Sequence, residues 1–136
     1  MKKLENPQAL YPMIITKKIG ETKDFYLKAG FKVRHEMKDE YLQVFWGTGE
    51  GIDLSFAAPH AGPNGREFTE FGGQGLMISL PTPDADGKYA EFKQGGVKTE
   101  CEVEDKPWGW RSFHVVDPNG VVLDFFHVYK AMPAMA

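Results

Sequence analysis

The chain has 136 residues, a formal net charge of −3, 42% apolar and 26% charged residues. These values describe one globular domain long enough to bury a core. They exclude a nucleic-acid partner, which needs a concentrated basic surface, and a membrane span, since no apolar run approaches ~20 residues.

The first residues, Met1-Lys2-Lys3-Leu4-Glu5-Asn6-Pro7, hold no apolar stretch and are not expected to be a secretory signal. Cys101 is the single cysteine. It excludes an intrachain disulfide, fits a reducing cytoplasm as the expected location, and reads as a small core residue beside Val103.

In chain order, residues 11–16 form the first expected strand, with Pro12 tolerable only at a strand start or edge. Residues 21–29 read as a helix in which Phe25 and Ala29 share a face and Gly30 supplies the stop. Residues 32–37, 41–46 and 51–57 follow as three strands joined by short turns. Residues 58–74 are rich in Gly and Pro, lack a clear period, and are expected to link two halves.

The order then repeats. Residues 76–80 are an expected strand, and Thr82-Pro83 reads as a helix cap followed by proline in the first turn. Ala85, Tyr89 and Phe92 mark one helical face, which Gly95-Gly96 ends. Residues 98–104, 110–116 and 121–128 are the remaining strands. The last two are joined by the turn Asp117-Pro118-Asn119-Gly120, where proline fixes φ and glycine permits a positive φ.

The two halves also share a local phrase. Tyr26-Leu27-Lys28-Ala29-Gly30-Phe31-Lys32-Val33 is answered by Phe92-Lys93-Gln94-Gly95-Gly96-Val97-Lys98-Thr99. Each has an aromatic residue late in a helix, a glycine stop and the start of a strand. The expected fold is therefore α+β, two tandem βαβββ modules at about 10–57 and 75–129 with a linker at 58–74. Each helix offers one apolar stripe, so each sheet is expected to have a helix on one face and a second face needing other cover.

Phe25-Tyr26 with Gly30-Phe31, and Pro107-Trp108-Gly109 leading through Arg111 and Phe113 to Asp117-Pro118-Asn119-Gly120 and Leu123-Asp124-Phe125, resemble the vicinal oxygen chelate superfamily. That superfamily comprises glyoxalase I, bleomycin-resistance proteins and extradiol dioxygenases. The resemblance covers residues 10–129 and is nearest in motif to the bleomycin-resistance branch. It implies curved mixed sheets enclosing a cleft, and a homodimer.

Metal-dependent members carry two His and two Glu on equivalent strands. The spacing of the resemblance sets Tyr11, Asp53, Leu76 and Asp124 at those four positions. Both histidines are missing and both glutamates are shortened. A catalytic zinc or nickel site wants about three protein ligands with a nitrogen or sulfur donor among them. No metal and no cofactor are expected, and a ring-cleaving dioxygenase is disfavoured on the same ground.

Alternation places Asp53 and Ser55 on one face of their strand, with Ile52, Leu54 and Phe56 towards the helix. Likewise Val122, Asp124 and Phe126 oppose Leu123 and Phe125. The two aspartates are read as pocket-lining groups able to hold a cation or, with a raised pKa, to act as a base, against solvated carboxylates. Trp46, Trp108, Trp110 and Phe126 are candidate aromatic walls. His114 shares the face of Ser112 and Trp110 and is either a binding group or a structural histidine. His127 is expected to be structural. Arg111 is either an anion anchor or an ion-pair partner.

The expected function is metal-free binding of a small organic molecule, an antibiotic being one candidate, in an aromatic, acid-lined cleft. The alternative is a glyoxalase-like metal-dependent lyase or isomerase, with an ion held by Asp53 and Asp124.

Overall fold

The computed structural model describes residues 10–47 and 53–131. The expected turn residues 48–50, Gly51, Ile52 and the end of the tail lie outside the described residues. Two compact units divide the chain after Phe71. Each is a mixed, open four-stranded sheet with one helix on one face, and the duplicated βαβββ order is present.

In the first unit the order is β1 (Met13–Ile15), α1 (Ile19–Lys28), β2 (Lys32–Met37), β3 (Tyr41–Phe45) and β4 (Asp53–Ala57). The sheet order is β1-β4-β3-β2, with β1 and β4 parallel and the other pairs antiparallel. Strand β1 is shorter than expected because Pro12 has no N–H to give the ladder. Its carbonyl still accepts the Ser55 N–H at 3.0 Å. Leu42, Val44, Leu54 and Phe56 are buried on the helix side, where Tyr26 of α1 meets Phe56 at 5.2 Å between ring centroids.

Residues 58–71 are more than a linker. They form a small hairpin, β5 (His60–Ala61) and β6 (Glu67–Phe68), around a 3-10 turn at Pro63–Gly65. The Phe71 N–H then donates to Ile15 O at 2.8 Å, and Glu70 Oε2 accepts the Lys17 N–H at 2.9 Å. These bonds return the segment to the first unit. The sequence carries no period here because so short a hairpin has no buried face to encode.

The second unit has β7 (Met77–Pro81), α2 (Ala85–Gln94), β8 (Glu104–Asp105), β9 (Trp110–Val116) and β10 (Val122–Val128), in sheet order β7-β10-β9-β8. Rings of Phe92, Phe113 and Phe125 pack at 5.1–5.7 Å between α2 and the sheet. Each is almost fully buried, and each such side chain contributes about 1.5–3 kcal/mol.

Two expectations need correction here. The strand at 98–104 shrinks to Glu104–Asp105, preceded by a single ladder-like bond from the Glu100 N–H to His114 O at 2.8 Å. This is the sheet edge, and Glu100, Glu102 and Glu104 set like charges along it, a composition that blunts edge pairing. Helix α2 starts later than Thr82-Pro83 suggests. Thr82 donates its N–H to Phe126 O, Asp84 is the N-cap, and the first-turn Ala85 N–H is accepted by His127 Nδ1 at 2.8 Å.

The repeated phrase has a physical meaning. Gly30 and Gly96 adopt φ of 98° and 76°. The next N–H, of Phe31 or Val97, bonds back to Tyr26 O or Phe92 O, each at 2.9 Å. The glycine N–H bonds to Leu27 O or Lys93 O. Both helices therefore end in the same left-handed cap, sealed by an apolar contact such as Tyr26 on Phe31 at 4.9 Å.

Candidate functional site

In the first unit the face opposite α1 carries a connected polar cluster. Register pairs Phe45 with Asp53 and Gln43 with Ser55, so all four share this face. A bulge between Val33 and His35 inserts Arg34 there. Arg34 Nε donates to Asp53 Oδ2 at 2.6 Å and Nη2 to Oδ1 at 3.0 Å, with the guanidinium 4.4 Å from the Phe45 ring centroid. Gln43 Nε2 adds a third donor to Oδ2 at 2.7 Å. Tyr41 donates its hydroxyl to Gln43 Oε1 at 2.7 Å.

Asp53 is 4% exposed. Burial alone pushes its carboxyl up, but the hydrogen bonds from Arg34 and Gln43 and the Arg34 charge outweigh burial and hold it below the usual carboxylate range. A base with a raised pKa does not fit Asp53. Arg34 is raised in turn, chiefly by its bond to Asp53. Tyr41 is raised, first by burial, with Ser55 and Tyr11 among its close partners. Tyr11, Asp53 and Ser55 are thus brought together, as one spatial group with Arg34, Tyr41 and Gln43. Trp46 is not part of it: its ring packs on Phe31 at 5.1 Å.

In the second unit the face opposite α2 carries Ser79, Asp124, His114, Ser112, Phe126 and Trp110. Asp124 is paired with Ser79 on one side and His114 on the other, and Phe126 with Ser112. Ser79 Oγ donates to Asp124 Oδ2 at 3.1 Å. His114 Nε2 stands 3.4 Å from Asp124 Oδ1, within ion-pair reach but outside hydrogen-bonding geometry. Asp124 Oδ1 and Ser112 Oγ are both buried, and neither has a hydrogen-bond partner. Beside them Trp110 and Phe126 stack at 3.6 Å with an 8° angle between planes.

Besides Trp46, three expected site residues lie elsewhere. Leu76 precedes β7 and is three residues from Ser79, so the alternation of the strand sends it away from Asp124. Ser79 is the β7 residue paired with Asp124. Arg111 lies on the helix side, bonded through Nε and Nη2 to Asp86 of α2 at 2.8 Å each and through Nη1 to Asp105 at 2.9 Å. Its ion-pair reading holds, and Arg111 in turn keeps Asp86 below the usual carboxylate range. Trp108 is 43% exposed in the turn between β8 and β9.

Arg34 was missed in the sequence because a bulge, not strict alternation, turns it to this face. Ser79 was missed because a serine in a strand carries no signal of its own. Only the register beside Asp124 reveals it.

Among the described residues no three His, Cys, Asp or Glu side chains gather into a group able to hold a metal ion. The donor set of the first unit also fails to suit one, because both oxygens of Asp53 already accept from Arg34. Among the described residues no helix is long and apolar enough to cross a membrane.

The profile of the Glyoxalase/Bleomycin resistance protein/Dioxygenase superfamily matches residues 8–125. The chain belongs to this superfamily. Among solved structures, a glyoxalase/bleomycin resistance protein/dioxygenase from Nocardioides is similar, at TM-score 0.74 and 17% identity over 98% of this chain and 92% of that one. A bleomycin-binding protein complexed with bleomycin is similar at TM-score 0.62 and 20% identity, over 90% and 98%. So is lactoylglutathione lyase from Agrobacterium tumefaciens, at 0.66 and 16%, over 90% and 96%. At these identities the structural likenesses bear on the superfamily's fold alone. No curated protein sequence matches the chain.

Proposed function

We propose that this superfamily member binds a small organic molecule without a metal ion, using the helix-free sheet faces as its binding surface. The observation that carries this reading is the bidentate Arg34–Asp53 pair. The carboxylate at a family metal-ligand position already has its cation, and it is a side chain of the same unit. A lyase or isomerase built on an ion at Asp53 would first have to displace Arg34.

The Trp110–Phe126 stack supports an aromatic or amphipathic ligand, because flat π faces beside polar acceptors suit such molecules. A solved structure of similar fold is a bleomycin-binding protein complexed with bleomycin. The reading includes a homodimer, as the family resemblance implies, and residence in the cytoplasm, which a single cysteine suits.

Thermal denaturation of chelator-treated protein tests the proposal, with a glycopeptide antibiotic, a planar organic cation and a glutathione adduct as probes. A concentration-dependent rise in Tm with one of them, in the absence of added metal, is expected. A rise that appears only with a divalent ion overturns it. Light scattering after size exclusion reads the mass expected for a dimer.

A further inference from the structure

Helix α2 begins without a cap from its own N-cap side chain. Asp84 stands at that position and makes no capping hydrogen bond. The first-turn Ala85 N–H goes instead to His127 Nδ1 at 2.8 Å, on a strand 42 residues further along the chain. Ala85 is fully buried, so its N–H is shielded from bulk water and needs a partner from the protein.

A ring nitrogen accepts a hydrogen bond only while it carries no proton. The donor here is a backbone N–H, so the neutral His127 ring keeps its one proton on Nε2. Protonation places a second N–H on Nδ1, and two donors then face each other. The positive end of the helix dipole also repels a cation set against its first N–H.

The charges around the ring offer it another partner. On α2, Asp84 and Asp86 flank the bonded N–H. On β9, Arg111 is the cross-strand partner of His127. It holds Asp86 through Nε and Nη2 and Asp105 of β8 through Nη1. On β10, alternation puts Asp124 on the opposite sheet face, and the Tyr129 hydroxyl is committed to Lys106 O at 3.1 Å. Strand β7, Met77–Pro81, brings no titratable side chain. The bond from Arg111 does most to hold the Asp86 carboxyl below the usual carboxylate range, and the charges of Arg111 and His127 add to it. A protonated ring therefore has an acid within electrostatic reach on the same helical turn whose N–H it gives up.

From this geometry we infer that His127 is a proton-operated latch on the start of α2. Neutral, it holds the Ala85 N–H. Protonated, it releases that N–H and turns its new donor towards the carboxylates of the first turn, loosening the connection from β7 into α2. The latch is closed at the alkaline end and opens as pH falls through the range in which imidazoles titrate, between about pH 8 and 5. Loss of the N–H bond and gain of a carboxylate partner offset each other, so the change is local to the first turn. It is independent of the small-molecule reading above.

The test is NMR of the 15N-labelled wild-type chain from about pH 8 to about pH 5, with His127→Asn and His127→Ala beside it. The neutral His127 ring is expected to show its proton on Nε2. As that ring titrates, the Ala85 amide proton is expected to move upfield with the same midpoint. Its protection factor falls severalfold, while the amides of Phe113 and Phe125 keep theirs. In His127→Asn, whose side-chain oxygen accepts at every pH, the Ala85 transition is expected to vanish. In His127→Ala, Ala85 protection is low throughout. A neutral ring with its proton on Nδ1 overturns the inference. So does a His127 ring that does not titrate in this range, or one that titrates without moving the Ala85 amide. These three results come from the wild type and need no variant to fold. An Ala85 transition that persists in His127→Asn overturns it as well, because another group then drives the change.

Discussion

Arg34 grips Asp53 with two nitrogens, Nε at 2.6 Å from Oδ2 and Nη2 at 3.0 Å from Oδ1. A fork of this kind matches both charge and shape of a carboxylate. It exists because a bulge in β2 turns Arg34 across β3 towards β4. The pair converts a position that could have served a metal into a self-neutralised element of the sheet face.

Removing the cation leaves a buried carboxylate supported by Gln43 alone. Arg34→Ala is expected to destabilise the protein by about 1–3 kcal/mol, scaled down from a fully buried pair because the Arg34 side chain is 33% exposed. Asp53→Asn in the same background should recover part of the loss, since it removes the stranded charge. Urea denaturation of the four proteins in the cycle reads both effects.

The same pair sets a pH dependence. The folded Asp53 carboxyl is depressed below its unfolded value. Its contribution is therefore complete above the unfolded pKa, about 3.9, and is lost as pH falls through the lower folded value. The stability gap between wild type and Arg34→Ala should narrow as pH falls, beginning at the Asp53 pKa of the variant, which loses the Arg34 bond and charge, and ending at the lower wild-type value. A gap that widens on acidification contradicts the assignment.

Gly120 sits at φ 90°, and a Cβ there would lie 2.6 Å from the carbonyl oxygen of Gly73. Gly47 also has a positive φ, 70°, but open space around it. Gly47→Ala should cost about 1 kcal/mol, from conformation alone. Gly120→Ala should cost clearly more, because backbone must move to admit the methyl. Thermal or chemical denaturation of the two variants checks the ranking.

His127 Nδ1 accepts the Ala85 N–H at the start of α2. His127→Ala removes an acceptor from the first turn and should destabilise by about 0.5–2 kcal/mol, the range of a lost N-terminal cap. Amide exchange in the first turn of α2 should rise more than in β9 or β10.

Much of this was legible in the sequence. The repeat of aromatic, glycine and strand start is a pair of identical helix caps, which local chemistry dictates. The alternation Asp53-Leu54-Ser55-Phe56 and Leu123-Asp124-Phe125-Phe126 fixed which side chains meet a helix. What was not legible depends on register and irregularity. The bulge that brings Arg34 to Asp53, the pairing that puts Ser79 rather than Leu76 beside Asp124, and the reach of Arg111 to Asp86 all arise from contacts between distant residues. The strand expected at 98–104 failed for a related reason, since an edge with one neighbour is held by too few bonds to override its like charges.

The central claim is that Arg34, and not a metal ion, is the counter-charge of Asp53. The most direct measurement is thermal denaturation of chelator-treated protein titrated with zinc and with nickel, in wild type and in Asp53→Ala. The account predicts a wild-type Tm that neither ion raises. A dose-dependent rise in wild type that disappears in Asp53→Ala would contradict it.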